Sequence, residues 1–133
     1  MNYQNLCPIC ATVYTGKQDS CSNCGSDAGA IFTHPALVTV VTLLIKLGIG
    51  VTDTNIKHCT THQNKISIYI SGNIPEYLVA DLPQMWQIKE TGKLYCSDID
   101  KSKVIKDLEE WCLSKDPNGF KSILKLSGYD VGQ

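Results

Sequence analysis

Two C-x-x-C pairs, Cys7-Pro8-Ile9-Cys10 and Cys21-Ser22-Asn23-Cys24, stand ten residues apart near the start of a 133-residue chain. Two such pairs can bring four thiolates to one ion, and a tetrahedral site with Zn–S bonds of about 2.3 Å uses four such donors. Each pair is expected to form a tight knuckle whose backbone N–H groups point at the sulfurs and offset their charge. Pro8 presets one φ angle in the first knuckle, and Gly25 tolerates a positive φ at the end of the second. Between them Thr15-Gly16-Lys17-Gln18-Asp19 reads as a hairpin turn joining two short strands. Disulfides fit less well. The cysteine total is seven, an odd number, and Met1-Asn2-Tyr3-Gln4-Asn5 has neither the basic nor the apolar region of a secretory signal. Four thiolates also suit the iron of an electron carrier, so the spacing selects a metal and favours zinc.

A second cluster, His58-Cys59-Thr60-Thr61-His62, has ligand spacing at Cys59 and His62, with Cys96 and Cys112 as further thiols. Geometry counts against it. On a continuous strand at about 3.3 Å per residue, His58 and His62 stand about 13 Å apart, too far for one zinc ion. Only a turn starting near Cys59 would rescue the site. Cys96 follows Leu94 on one strand face and Cys112 falls on an apolar helix stripe, so both read as small buried hydrophobes. A Cys–His nucleophile, Cys59 with His34 or His58, lacks an orienting third group and any oxyanion signature, and neighbours on a strand point to opposite faces. Asp98 and Asp100 could share a magnesium ion, but the simpler reading makes one a strand end and the other a helix cap. Glu109 and Glu110 belong to a solvated helix face, and no Gly-rich phosphate loop is present.

The motifs CPIC and CSNCG resemble the zinc-ribbon (rubredoxin-like knuckle) family over residues 5–30. The resemblance implies Cys7, Cys10, Cys21 and Cys24 as ligands of one structural Zn²⁺, in a ribbon that binds protein or nucleic acid. The first knuckle departs from the family in carrying Ala11 where such knuckles often carry glycine. Family likeness does not fix the task, because one small scaffold hosts many.

The elements that must position these residues follow from the rest of the chain. Ser26 to Ala30 is small and polar, a short linker, which divides the chain into a ribbon at 1–30 and a second domain at 31–133. Thr33 offers an N-cap to an apolar helix from Ala36 to Leu47, and Gly48 stops it. Two hairpins are expected: 55–61 with 65–71, then 85–89 with 94–99. The strand Lys65–Ser71 alternates cleanly, with Ile66, Ile68 and Ile70 on one face. Pro75 opens a short helix between the hairpins. Asp100 or Ser102 caps a helix whose Val104, Ile105, Leu108, Trp111 and Cys112 make one apolar stripe. Pro117-Asn118-Gly119 reads as a turn into a last helix, Phe120 to Ser127. The expected fold is α+β: a small N-terminal zinc ribbon, then an antiparallel sheet of two hairpins covered by helices.

Charge bears on partners. The formal net charge is −1, and all twelve cations are lysine. Without arginine there is no planar fork for guanine or phosphate, which counts against sequence-specific DNA reading and excludes an arginine finger, while lysine can still hold phosphates as a point charge. Six lysines between 101 and 125 alternate with four acids, as on a solvated helix. The longest apolar run, Leu37 to Leu47, falls short of the roughly 20 residues of a membrane span. The sequence therefore reads as a soluble cytoplasmic binding or adaptor protein with a protein partner met through the ribbon at Ile9 and Tyr14. A nucleic-acid-binding ribbon protein, as in transcription or replication, is the first alternative. A small metal-dependent enzyme near His58, Cys59 and His62 is the second.

Overall fold

Alternation in strands and an apolar stripe on helices account for the architecture. The computed structural model describes residues 4–14, 21, 23–25, 31–58, 64–72, 74–89, 92–98 and 100–129. Three short strands, β1 (Gln4–Leu6), β2 (Val13–Tyr14) and β3 (Ile31–Thr33), form a small antiparallel sheet in the order β2-β1-β3. A 3₁₀ turn at Pro35–Leu37 leads into helix α1 (Val38–Lys46). The larger sheet contains β4 (Val51–His58), β5 (Asn64–Ile70), β6 (Gln87–Lys89) and β7 (Lys93–Asp98), in the order β4-β5-β7-β6 and antiparallel throughout. Helices α2 (Lys101–Leu113) and α3 (Pro117–Leu126) complete the chain, and a 3₁₀ turn at Glu76–Leu78 lies between the two hairpins. The fold is α+β, as the sequence indicates.

The period-2 reading of β5 holds: Ile66, Ile68 and Ile70 are buried, and they face Cys96 and Leu94 of β7 through the pairs Ile66↔Cys96 and Ile68↔Leu94. The α2 stripe closes over this layer, with Val104, Ile105, Leu108, Trp111 and Cys112 all buried in one cluster with Val40, Val41 and Leu44 of α1. Burial of a large apolar side chain contributes about 1.5–3 kcal/mol each. Two polar anchors fix α2 from outside. Trp86 Nε1 donates to the Val104 carbonyl at 2.8 Å, and Trp111 Nε1 donates to the Asp81 carboxylate at 3.0 Å. Asp81 also accepts from Lys115, and these partners hold its carboxyl below the usual range.

Several boundaries differ from expectation. The first strand of the larger sheet starts at Val51, not 55, because a register shift between Val51 and Asp53 interrupts the alternation that would reveal it. Thr33 is the last residue of β3, so the cap passes to His34, whose Nδ1 accepts from Ala36 N at 3.0 Å. Pro117-Asn118-Gly119 is the first turn of α3 rather than a loop. Asp116 caps it by accepting from Gly119 N at 3.1 Å, with Pro117 at the position whose N–H no helix needs. Asp100 caps α2 by accepting from Lys103 N at 3.0 Å. The small sheet is tied to the body: Leu6 and Ile31 belong to the main apolar cluster, and the Thr54 hydroxyl donates to the Phe32 carbonyl at 3.4 Å.

Candidate metal centre

The two knuckles share one backbone design. In the first, Ala11 N donates to the Cys7 carbonyl at 2.9 Å; in the second, Gly25 N donates to the Cys21 carbonyl at 2.8 Å. Closing that five-residue turn puts the residue after each second cysteine in the left-handed region, Ala11 at φ 63° and Gly25 at φ 76°. Ala11 therefore does what glycine does in the other knuckle, at a steric cost that glycine escapes. The strand pair β1–β2 anchors the first knuckle, with Leu6 opposite Val13, and Cys7 N donates to the Thr12 carbonyl at 3.0 Å.

The four sulfurs converge. Sγ atoms of Cys7, Cys10, Cys21 and Cys24 all lie within 4.8 Å of one another. Cys7 and Cys24 are 3.6 Å apart and Cys10 and Cys21 are 3.7 Å apart, each contact running from one knuckle to the other. A tetrahedron of Zn–S bonds of about 2.3 Å has edges of about 3.8 Å, whereas a disulfide is about 2.05 Å. The spacing fits a metal and no bond between the sulfurs, and the cysteines are free thiols. Such a cluster is compatible with a zinc-ribbon-like knuckle.

The surroundings favour thiolate, the form that binds metal. Burial pushes the Cys10 thiol up, but hydrogen bonds from the Thr12 hydroxyl, at 2.9 Å, and the Asn23 side-chain amide, at 3.5 Å, outweigh it. The net effect brings the group from 9.0 down to about 6. Cys21 is lowered first by the backbone N–H of Cys24 and then by that of Asn23, the latter at 3.4 Å. Backbone donors to sulfur were expected of the knuckles; Thr12 and the Asn23 side chain were not, although both adjoin the cysteines in sequence. Cys7 and Cys21 are buried and form a small cluster of their own, packed by Ile9 and Cys10.

The other sequence candidates scatter. Cys96 and Cys112 are 1% and 3% exposed within the main core, and burial, reinforced by the Glu109 charge, pushes the Cys112 thiol up to about 12. His58 ends β4, paired with Asn64, while Cys59 and His62 lie outside the described residues. His34 is buried and serves as a cap. Asp98 ends β7 and Asp100 caps α2, while Glu109 and Glu110 lie along α2. Among the described residues, only the four-cysteine group gathers three or more metal-binding side chains, and no helix is long and apolar enough to cross a membrane. Comparison with protein-family models, with curated proteins and with solved structures finds no significant match to this chain.

Proposed function

We propose that Cys7, Cys10, Cys21 and Cys24 hold one structural zinc ion and that the protein works by binding a protein partner through its knuckle-bearing end. The convergence of the four sulfurs carries this reading. Four cysteine donors fill a tetrahedral shell and leave no open position for water or substrate, which is the mark of a structural rather than a catalytic site. The cluster is too small to have an apolar core of its own, so the ion would set the shape of the knuckles. The surface beside it is apolar: Phe32 is 58% and Val13 47% exposed on the small sheet. Exposed aromatic side chains on a rigid support are favoured at protein contacts.

Metal analysis of protein purified under reducing conditions should give one zinc per chain; protein with neither zinc nor iron overturns the metal reading. For the partner, cross-linking capture from the source cell should recover a protein with the wild type and lose it with Ile9→Ser, Tyr14→Ala and Phe32→Ser combined, at unchanged zinc content. Equal capture by that variant places the contact elsewhere.

A further inference from the structure

We propose that the open face of the larger sheet is a binding surface for single-stranded nucleic acid. The proposal is independent of the metal reading, since among the described residues the face shares no side chain with the cysteine cluster.

Strand pairing decides which side chains share this face. The core side holds Ile66, Ile68, Leu94 and Cys96, so the alternate positions point outward. They are Asp53, Asn55 and Lys57 on β4, then Lys65, Ser67 and Tyr69 on β5. Next come Lys93, Tyr95 and Ser97 on β7, and Gln87 on β6, each in register with its neighbour. Among the described side chains, three lysines, Lys57, Lys65 and Lys93, thus fall on one face with a single acid, Asp53. A net charge of −1 conceals this, because it averages over faces that never act together.

Two tyrosines stand among those lysines. Tyr69 is opposite Lys93, and Tyr95 is opposite Ser67, so the rings occupy diagonal positions on adjacent strands. Lys93 Nζ lies 5.6 Å from the Tyr69 ring centroid and 5.5 Å from that of Tyr95, between the two. Ser67, small and buried, lies between Asn55 and Tyr95 in the register and makes the floor shallow there. Beside Tyr69, Thr52, Asp53, Thr54 and Asn55 line a polar depression that can supply donors and acceptors to a base edge.

The chemistry singles out one occupant. Lysines at opposite ends of the face, the Lys57–Lys65 pair and Lys93 beside Tyr69, complement successive phosphates as point charges, and aromatic rings on a sheet stack bases without regard to sequence. An acidic protein segment would satisfy the lysines but leave the rings unused, and a duplex keeps its bases stacked inside. An exposed cation–π contact is weaker than base–aromatic stacking, so a base can replace Lys93 over a ring while Lys93 moves to a phosphate. Lacking arginine, the surface would bind modestly and without sequence preference.

The test is a fluorescence-anisotropy titration of fluorescein-labelled (dT)15 with the full-length, zinc-loaded protein, between 50 and 200 mM NaCl. Saturable binding in the micromolar range is expected at about 50 mM, in line with non-specific binders. Neutralising about three phosphates on a single strand gives a log–log salt slope of about −2. Tyr69→Leu with Tyr95→Leu should weaken binding about tenfold at unchanged slope. Lys57→Gln with Lys65→Gln, at exposed positions that do not endanger the fold, should flatten the slope by about 1.4. No saturation at about 100 μM protein overturns the proposal. So does a polyglutamate 15-mer or a duplex that competes as well as (dT)15, or a salt slope indifferent to the lysine substitutions.

Discussion

The cysteine cluster and the helix-covered sheet solve the same problem by different means. Around the sulfurs, the buried side chains are Cys7 and Cys21, with Ile9 and Cys10 packed beside them. Under α1 and α2, more than twenty apolar side chains form one core. The first region has too little apolar area to offset the entropy of ordering its chain, at about 1–2 kcal/mol per residue. The second has enough. Beyond the burial of Ala11 in the larger core, the order of the knuckles must come from directional bonds: two carbonyl-to-N–H turns, hydrogen bonds to sulfur, and on the proposed reading four metal–thiolate bonds. Between the two regions stand Leu6 and Ile31 of the small sheet and Ala11 of the first knuckle, whose side chains belong to the larger core.

That contrast can be broken most forcefully by taking away the metal proposed for the four cysteines. Structural zinc contributes about 10–16 kcal/mol in small zinc-finger peptides at neutral pH. Chelation, or Cys21→Ser, is expected to abolish amide-exchange protection at Cys7, Ala11 and Gly25 while the amides of Ile66, Ile68 and Leu94 stay protected. Coupling through Leu6 and Ile31 should lower the melting temperature of the body by a few degrees. Loss of protection across both sheets together would show that the regions are not separately held.

A smaller effect should come from thiols on the other side of the contrast. Cys112→Ala and Cys96→Ala should each cost on the order of 1–2 kcal/mol through lost packing, read as a shift in urea midpoint, with zinc content unchanged. Cys112 also carries a pH signature. Its thiol is pushed from 9.0 to about 12 by burial and then by Glu109, so the folded state holds the proton more tightly than the unfolded one. The stability this contributes is fully present below about pH 8.5 and is lost as pH rises toward 12. Wild-type protein should therefore weaken between about pH 9 and pH 11 more steeply than Cys112→Ala in paired denaturation curves.

The smallest effect sharpens a difference within the cysteine cluster itself. Gly25→Ala, where an added Cβ meets nothing within 4 Å, takes on left-handed strain of about 1–2 kcal/mol, offset in part by about 0.4–1 kcal/mol from a less free unfolded chain, a net cost of about 0.5–1 kcal/mol. Ala11→Gly relieves a similar strain, yet it frees the unfolded chain by about 0.4–1 kcal/mol and deletes a buried methyl worth about 0.8 kcal/mol. These terms nearly cancel, so Ala11→Gly should leave resistance to a competing chelator almost unchanged while Gly25→Ala reduces it. Equal losses in the two variants would mean that the matched turns do not have matched strain.

Much of this molecule was legible residue by residue. The cysteine spacing identified the cluster because a C-x-x-C turn is local: its geometry is set within five residues. The stripe on α2 and the alternation on β5 were legible for the same reason, since each repeats over several turns or pleats. The start of β4 was hidden by the register shift at Val51 and Asp53, and the first turn of α3 by a Pro-Asn-Gly triplet that suits a loop as well as a helix start.

Local spacing thus determined the four-cysteine cluster, the class of the fold and the apolar stripes that cover the sheet. Tertiary structure alone decided that Leu6 and Ile31 join the body, that Thr12 and Asn23 reach Cys10, and that Tyr69, Tyr95 and Lys93 meet on one face. Those neighbours come from strands whose pairing is set by the burial of the opposite face, and a side chain's period along one strand says nothing about which strand will lie beside it.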